Sequence, residues 1–219
     1  MKNDAILNID LDFFTEPCYT GNGYLDSNWQ SYTSFQAKAK NWLNNEDFFK
    51  KINLNNRVRG CSIGQDDQVP FYYNKIIKEG YISPLNFDFI HIDAHHDMYS
   101  KYNSHYYKNH ELANYNNWDS LISLFINRWV KKVIWVYPDY YNSDFLNKHL
   151  FFREEVEEKN GLYFFNFVQN TNIEIKPIKW SDFNADNYVW KYISLILNSN
   201  ISKIDNELLI KIRSFISQW

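Results

Sequence analysis

Apolar runs that end in aspartate constrain this chain most strongly. Residues 5–9 lead into Asp10-Leu11-Asp12, and residues 87–92 lead into Asp93-Ala94-His95-His96-Asp97. A strand that is apolar at successive positions is buried on both faces, as in a parallel sheet covered by helices. In open α/β sheets the functional crevice lies beyond the carboxyl ends of the strands. We therefore expect both acidic segments to lie along the same edge of one sheet.

Strand and helix patterns alternate along the chain. Strands are predicted at residues 5–13, 58–63, 87–92, 132–137, 162–168 and 173–178. One helix or two are predicted at residues 32–52, and further helices at 69–77, 118–129, 188–197 and 204–219. Residues 98–117 form a predicted long loop of the kind that builds binding surfaces. This alternation predicts an α/β fold with a mostly parallel sheet flanked by helices. With 219 residues and no linker or repeat, residues 1–219 are expected to form a single domain.

Composition excludes several classes of function. The net charge of -3 carries no large basic patch, which argues against a nucleic-acid partner. The 2 cysteines are too few for a disulfide framework or a thiolate zinc site and fit a reducing cytosol. No apolar run approaches membrane-spanning length, and no secretory segment follows Met1. We expect a cytoplasmic protein without a membrane partner, and the sequence does not indicate its oligomeric state.

The acidic segments have the residue types of a metal site. Residues two apart on an extended chain point the same way, so Asp10 with Asp12, and Asp93 with His95 and Asp97, can address one point. Carboxylates that are buried together repel unless cations balance them. Oxygen ligands with one imidazole suit Mn²⁺, or less specifically Fe²⁺, Co²⁺ or Mg²⁺. The third acidic strand end, Gln65-Asp66-Asp67-Gln68, is expected to lie close to the other two.

Both motifs resemble those of a known superfamily. Asp93-Ala94-His95-His96-Asp97 resembles the Asp-Ala-His-x-Asp metal motif of the arginase and histone-deacetylase superfamily. Ile9-Asp10-Leu11-Asp12-Phe13-Phe14 is similar to the Asp-x-Asp motif of an arginase-like branch that includes the peptide arginases. The resemblance covers roughly residues 6–118 and implies a three-layer arginase-like fold. It implies an enzyme of ribosomal peptide biosynthesis that converts arginine side chains of a precursor peptide to ornithine and releases urea.

Two departures from the arginase pattern affect this interpretation. In arginases that act on free arginine, the Asp-x-Asp motif follows the Asp-Ala-His motif, whereas here it comes first. A closed arrangement of layers tolerates such a change of chain order. The loop after the second predicted strand also lacks the metal-binding histidine of the family. We assign that position to Asp67, with Asp66 as the next choice.

The resemblance implies a role for each residue of the site. One Mn²⁺ would be bound by Asp67, Asp93, Asp97 and Asp10, and a second Mn²⁺ by Asp93, His95, Asp10 and Asp12. A hydroxide that bridges the metals would attack the guanidino carbon. Asp97 is predicted to be both a catalytic residue and a metal ligand.

The remaining roles fall to residues outside the metal motifs. His110 in the long loop is assigned as the proton donor to the departing amine, and His105 and His96 compete for that role. The candidates for binding the guanidinium group of the substrate are Glu111, Glu16 and Asp26. The tyrosines of residues 99–117 offer a surface either for the precursor peptide or for covering the sheet edge.

Three other readings of the same residues remain open. A haloacid-dehalogenase-type phosphatase would use Asp10 as nucleophile and Asp12 as general acid, but it leaves the second acidic segment unexplained. A zinc deacetylase of the same superfamily needs only Asp93, His95 and Asp10. A non-catalytic protein could retain the fold and only bind a peptide. The excess of negative charge over two divalent cations favours a cationic guanidinium over an anionic phosphate.

Overall fold

The computed structural model describes residues 2–16, 40–64, 69–94, 124, 129–130, 132–140, 156–159, 162–165, 173–197 and 206–217. Its strands are β1 (Asn3–Asp10), β2 (Thr15–Glu16), β3 (Lys40–Asn41), β4 (Val58–Ile63), β5 (Asp88–Ile92), β6 (Lys132–Tyr137), β7 (Val156–Lys159), β8 (Leu162–Phe165), β9 (Ile173–Lys179), β10 (Tyr188–Ile196) and β11 (Ile216–Ser217). Its α-helices are α1 (Asn45–Ile52), α2 (Val69–Lys78) and α3 (Asn206–Phe215). The 3₁₀ turns are Leu11–Phe14, Trp180–Asp182 and Ala185–Asn187.

Nine of these strands form one sheet in the order β11-β4-β10-β1-β5-β6-β9-β8-β7. Every neighbouring pair from β11 to β9 is parallel. The two pairs at the far edge, β9 with β8 and β8 with β7, are antiparallel. The short strands β2 and β3 pair separately. The predicted α/β fold with a mostly parallel sheet is confirmed. Strands β1 and β5, which carry the two acidic segments at their carboxyl ends, lie side by side within it.

Helices cover both faces of the sheet, which explains the continuous apolar runs. On one face, Ala5, Leu7 and Ile9 of β1 belong to a core that includes residues of α1 and α3. On the other face, Ile6 belongs to a second core that includes residues of α2. Since every residue of β1 from Ala5 onward is buried, alternation between polar and apolar residues is absent, as expected of a covered parallel strand. The sheet and its helices therefore form three layers.

Helix α1 has clear boundary signals. Asn44 caps its amino end by accepting a hydrogen bond from the backbone N–H of Glu46 at 2.7 Å. Asn53 ends it in the left-handed region at φ 51°, which asparagine tolerates better than most residues. Between these ends, Phe48, Phe49 and Ile52 are buried against the sheet. The predicted helix at residues 32–52 is therefore too long within the described part of the chain, because residues 40 and 41 are extended.

The helix predicted at residues 188–197 is wrong. This segment is strand β10, which lies between β4 and β1 and is parallel to both. Val189 and Lys191 are exposed, whereas the five residues from Tyr192 to Ile196 are buried. A short apolar run buried on both faces has no period that distinguishes a strand from a buried helix. Its β-branched and aromatic residues are the better indicator of a strand.

Other predicted boundaries need smaller corrections. The strand predicted at residues 5–13 ends at Asp10 and passes into the Leu11–Phe14 turn. The helix predicted at residues 204–219 ends at Phe215, and Ile216–Ser217 then joins the sheet as β11. The predicted loop at 98–117 and most of the helix predicted at 118–129 lie outside the described residues. None of the helices in the described part of the chain combines the length and apolar character needed to cross a bilayer.

Candidate metal centre

Three aspartates meet at the carboxyl ends of β1 and β5. Asp10 is the last residue of β1, Asp12 lies in the following 3₁₀ turn, and Asp93 directly follows β5. Each contributes one carboxylate oxygen to a group in which all these atoms lie within 4.8 Å of one another. Their exposed fractions are only 2%, 3% and 1%. Two segments that are distant in sequence thus deliver their acids to one buried point.

The turn after β1 places Asp12 beside Asp10. The sequence predicted that strand alternation would align the two side chains, but the strand ends at Asp10 and the 3₁₀ turn brings Asp12 back toward it. The backbone N–H of Asp12 donates to Asp10 Oδ1 at 3.0 Å. The backbone N–H of Ala94 donates to Asp12 Oδ1 at 3.3 Å, which links the two acidic segments directly. These donors orient both carboxylates through the backbone.

Asp93 is held by the neighbouring strand. Its backbone N–H donates to the carbonyl oxygen of Val136 at 3.1 Å, and its own carbonyl accepts from Trp135 Nε1 at 3.0 Å. Both partners belong to β6, so the parallel pairing of β5 with β6 is extended past the last residue of β5. In addition, His91 Nε2 lies 3.0 Å from Asp93 Oδ2, and both side chains are buried. The backbone and side chain of Asp93 are therefore restrained separately.

Aromatic rings support the turn that carries Asp12. Phe13 makes edge contacts with Trp42 at a centroid distance of 5.3 Å and with Trp180 at 5.5 Å. The indole N–H of Trp42 donates to the carbonyl oxygen of Phe13, and its backbone N–H donates to Phe14 at 3.1 Å. Edge-to-face pairs of this kind add to the free energy of burial. The turn is therefore a packed part of the core and not a loose loop.

The chemistry of these three residues fits a divalent cation. Burying carboxylates close together is costly unless positive charge compensates them. Carboxylate oxygens are the ligands that Mn²⁺, Mg²⁺ and Ca²⁺ prefer in proteins. Among the described residues, the three aspartates are the one group of three or more metal-ligating side chains whose ligand atoms all lie within 4.8 Å of one another. Their geometry is compatible with a bound cation, and they do not by themselves select manganese.

The other predicted site residues lie outside the described residues. These are Asp66, Asp67, His95, Asp97, His110, Glu111 and Asp26, together with the competing histidines His96 and His105. Glu16 is placed by its backbone alone, in β2, where it pairs with Lys40. The structure brings Asp10, Asp12 and Asp93 together, and the predicted ligand sets of the two metals stay predictions. Gly64, the last described residue after β4, leads toward Asp66 and Asp67.

Sequence reasoning missed a row of polar side chains beneath the acids. Ser194 in β10 is paired in register with Asn8 in β1, and Asn8 with His91 in β5. All three have no exposed area. The Tyr73 hydroxyl of α2 lies 3.0 Å from Ser194 Oγ. The spacing could have indicated this row. Asn8 and His91 each precede a site aspartate by two residues on an extended strand, and residues two apart on a strand share a face.

Ionisable groups beside this row are held in their neutral forms. Burial raises the pKa of the Cys61 thiol to about 11. Burial also raises the pKa of Tyr73 and of Tyr192 well above the usual tyrosine range. At neutral pH these groups therefore add no negative charge beside the polar row.

A comparison of the chain with protein-family models and with curated proteins finds no match.

Proposed function

We propose that the protein is a metal-dependent hydrolase of guanidino groups that acts on arginine within a peptide. The observation that carries the proposal is the meeting of Asp10, Asp12 and Asp93 at the carboxyl ends of two adjacent parallel strands. This is the edge at which α/β proteins place their functional crevice. The two segments that meet are also the two whose motifs resemble those of the arginase superfamily.

The proposed site holds two Mn²⁺ ions. Asp10, Asp12 and Asp93 supply the described part of the ligand set, and we assign His95, Asp97 and Asp67 to complete it. When bound, a pair of cations lowers the pKa of a water molecule and stabilises the charge that develops as the substrate is attacked. Backbone N–H groups restrain the carboxylates of Asp10 and Asp12. This restraint supports the role, because a site that is held in place before binding loses less entropy.

The charge of the site favours a cationic substrate. Arg57 and Arg59, the basic residues nearest in sequence to the second strand end, precede or begin β4 and so lie toward the amino end of the strand. The guanidinium of Arg59 lies over the ring of Tyr81, 3.6 Å from its centroid. Neither arginine stands at the carboxyl edge where it would compensate a phosphate. A guanidinium would instead be attracted by the aspartates.

The remaining steps are assigned to residues of the chain itself. Departure of the amine needs a proton, which we assign to His110, and recognition of the guanidinium needs carboxylates, which we assign to Glu111, Glu16 and Asp26. The partner would be a ribosomally made precursor peptide, and the reaction would leave ornithine in it. We place this reaction in the cytoplasm, in keeping with the low cysteine content.

The test is urea release from arginine-containing peptides after the protein is loaded with Mn²⁺. We expect release by the wild type and loss of release in Asp93→Asn, which removes one ligand charge while keeping the shape of the side chain. Asp88→Asn is the matched control, because Asp88 lies at the opposite end of the same strand and accepts a hydrogen bond from Asn3. This control is expected to release urea at the wild-type rate.

Three results would contradict the proposal. A protein that binds two metal ions but releases no urea from either peptidyl or free arginine would exclude guanidino hydrolysis. Hydrolysis of p-nitrophenyl phosphate with Mg²⁺, abolished by Asp10→Asn, would assign the site to a phosphatase. A single tightly bound zinc ion with release of acetate from acetyl-lysine would assign it to a deacetylase.

A further inference from the structure

The polar row beneath the three aspartates interrupts an otherwise apolar sheet face. On that face, the residues two positions earlier in β1 and β5 are Ile6 and Phe89, both fully buried in the core against α2. Asn8 and His91 take the next positions, and Asp10 and Asp93 follow. The order along both strands is thus apolar, then polar, then acidic. The polar row separates the core from the acids.

The imidazole of His91 is buried, so its contacts must compensate the cost of removing it from water. Burying a polar group costs free energy unless hydrogen bonds compensate it, and an aliphatic side chain would pack against Ile6 and Phe89 without that cost. His91 has no exposed area, so solvent contact does not explain its polar character. Its Nε2 atom lies 3.0 Å from Asp93 Oδ2, so that the imidazole and the carboxylate are in direct contact. The contact with Asp93 accounts for a polar side chain at this position.

We propose that His91 is a positioning residue of the metal centre. The close contact between its Nε2 atom and Asp93 Oδ2 restrains the side chain of Asp93 beside Asp10 and Asp12. The two side chains are two residues apart on one strand end and therefore point to the same face. This assignment rests on cation binding by Asp10, Asp12 and Asp93 as proposed above, but it does not depend on the identity of the substrate.

The size of the effect follows from the behaviour of other metal sites. Groups that hydrogen-bond to a metal ligand typically change the affinity for the metal by about 10–100-fold when they are removed. Without His91, the Asp93 carboxylate would have to be ordered by the cation itself, so that part of the binding free energy would be lost. Restraint of the Asp93 backbone by Val136 and Trp135 would remain, because those bonds do not involve its side chain.

The test measures Mn²⁺ affinity and not urea release. Free Mn²⁺ is quantified from its electron paramagnetic resonance signal during titration of the folded protein, and the spectrum of the bound ion reports its coordination. His91→Gln retains an N–H near the position of Nε2 and is expected to bind Mn²⁺ nearly as tightly as the wild type. His91→Asn, which is one methylene shorter and cannot reach Asp93, is expected to bind about 10–100-fold more weakly, as is His91→Leu.

Ser194→Ala provides the matched control for effects on stability. Ser194 lies in the same buried row but two strands away from β5, and its Oγ contacts Tyr73. Its removal is expected to lower the melting temperature while leaving Mn²⁺ affinity unchanged. If His91→Leu does not fold, the comparison of His91→Asn with His91→Gln decides the question.

Three outcomes would overturn the assignment. Folded His91→Asn that binds Mn²⁺ as tightly as the wild type would show that the contact has no role in binding. Equal weakening by Ser194→Ala would show a general effect of core stability. A wild-type protein that binds no divalent cation would overturn this assignment and the proposed function together, whereas Mn²⁺ binding without urea release would contradict the proposed reaction alone.

Discussion

At the scale of single residues, the buried hydroxyl of Tyr73 links a helix to the sheet. Tyr73 is fully buried, and its ring contacts those of Phe89 and Tyr192 at centroid distances of 5.6 and 6.1 Å. Its hydroxyl lies 3.0 Å from Ser194 Oγ and so joins α2 to β10 by a directional bond inside an apolar layer. A bond of this kind fixes the position of the helix on the sheet more narrowly than ring packing alone.

Tyr73→Phe is expected to lower the free energy of unfolding by about 1–3 kcal/mol, because Ser194 Oγ loses this partner while it remains buried. Tyr73→Phe combined with Ser194→Ala should cost less than the sum of the two single changes, since neither polar group is then left alone. Urea-induced unfolding measures all three variants. Tyr72→Phe, at a half-buried position in the same helix, is the control. Strictly additive losses would contradict the coupling.

At the scale of elements, strand pairing depends on how closely backbones approach. Gly60 of β4 is paired in register with Ile193 of β10. A Cβ atom at Gly60 would lie 2.2 Å from the carbonyl oxygen of Ile193 and 3.2 Å from Cγ2 of Ile216 in β11. Both contacts are closer than side chains normally permit, so the glycine is required by space and not by backbone conformation. It allows β4 to join β10 while β11 packs beside it.

Gly60→Ala is therefore expected to push β4 away from β10 and to lower the free energy of unfolding by about 3 kcal/mol. Gly80→Ala is the contrasting control, because its Cβ would meet no atom within 4 Å and only its φ of 75° opposes the change. That strain costs about 1–2 kcal/mol. Thermal and urea unfolding measure both variants. A smaller loss in Gly60→Ala than in Gly80→Ala would show that the strands separate easily.

At the scale of the whole molecule, the three-layer packing and the acidic edge have opposite effects on stability. Helices on both faces bury the central strands and stabilise the sheet. At the carboxyl edge, three buried aspartates within 4.8 Å repel one another when no cation balances them. Folding places these charges together, whereas unfolding separates Asp10 and Asp12 from Asp93. Cation binding is therefore expected to be linked to the stability of the entire sheet.

Mn²⁺ at about 100 times its dissociation constant should stabilise the fold by about 2.7 kcal/mol. For a chain of this size that corresponds to a rise of roughly 5–10 °C in melting temperature, and EDTA should reverse it. Asp12→Asn should abolish the rise and increase the melting temperature of the metal-free protein, because one repelling charge is removed. Asp88→Asn should retain the full response. Scanning calorimetry with and without EDTA would contradict the linkage if the wild-type curve did not move.

The sequence was sufficient to predict the bounds of strands that are buried on both faces. The bounds predicted for β4 and β6 match those of the structure, and β5 differs by one residue at its start. It also placed Asp10 and Asp93 at strand ends, because the change from apolar to acidic residues is visible without any tertiary contact. The sequence was insufficient to predict β10 as a strand. The hydrophobic residues of this segment have no period that distinguishes a buried strand from a buried helix.

The sequence by itself determined which segments are buried and where each buried run ends in an acid, because hydrophobic burial is recorded residue by residue in side-chain type. Only the tertiary structure decided that β10 lies between β4 and β1, that a 3₁₀ turn returns Asp12 to Asp10, and that His91 contacts Asp93. Strand order and side-chain contacts depend on how all layers pack at once. Which strands become neighbours is decided by the packing of the whole core, and it leaves no local pattern along the chain.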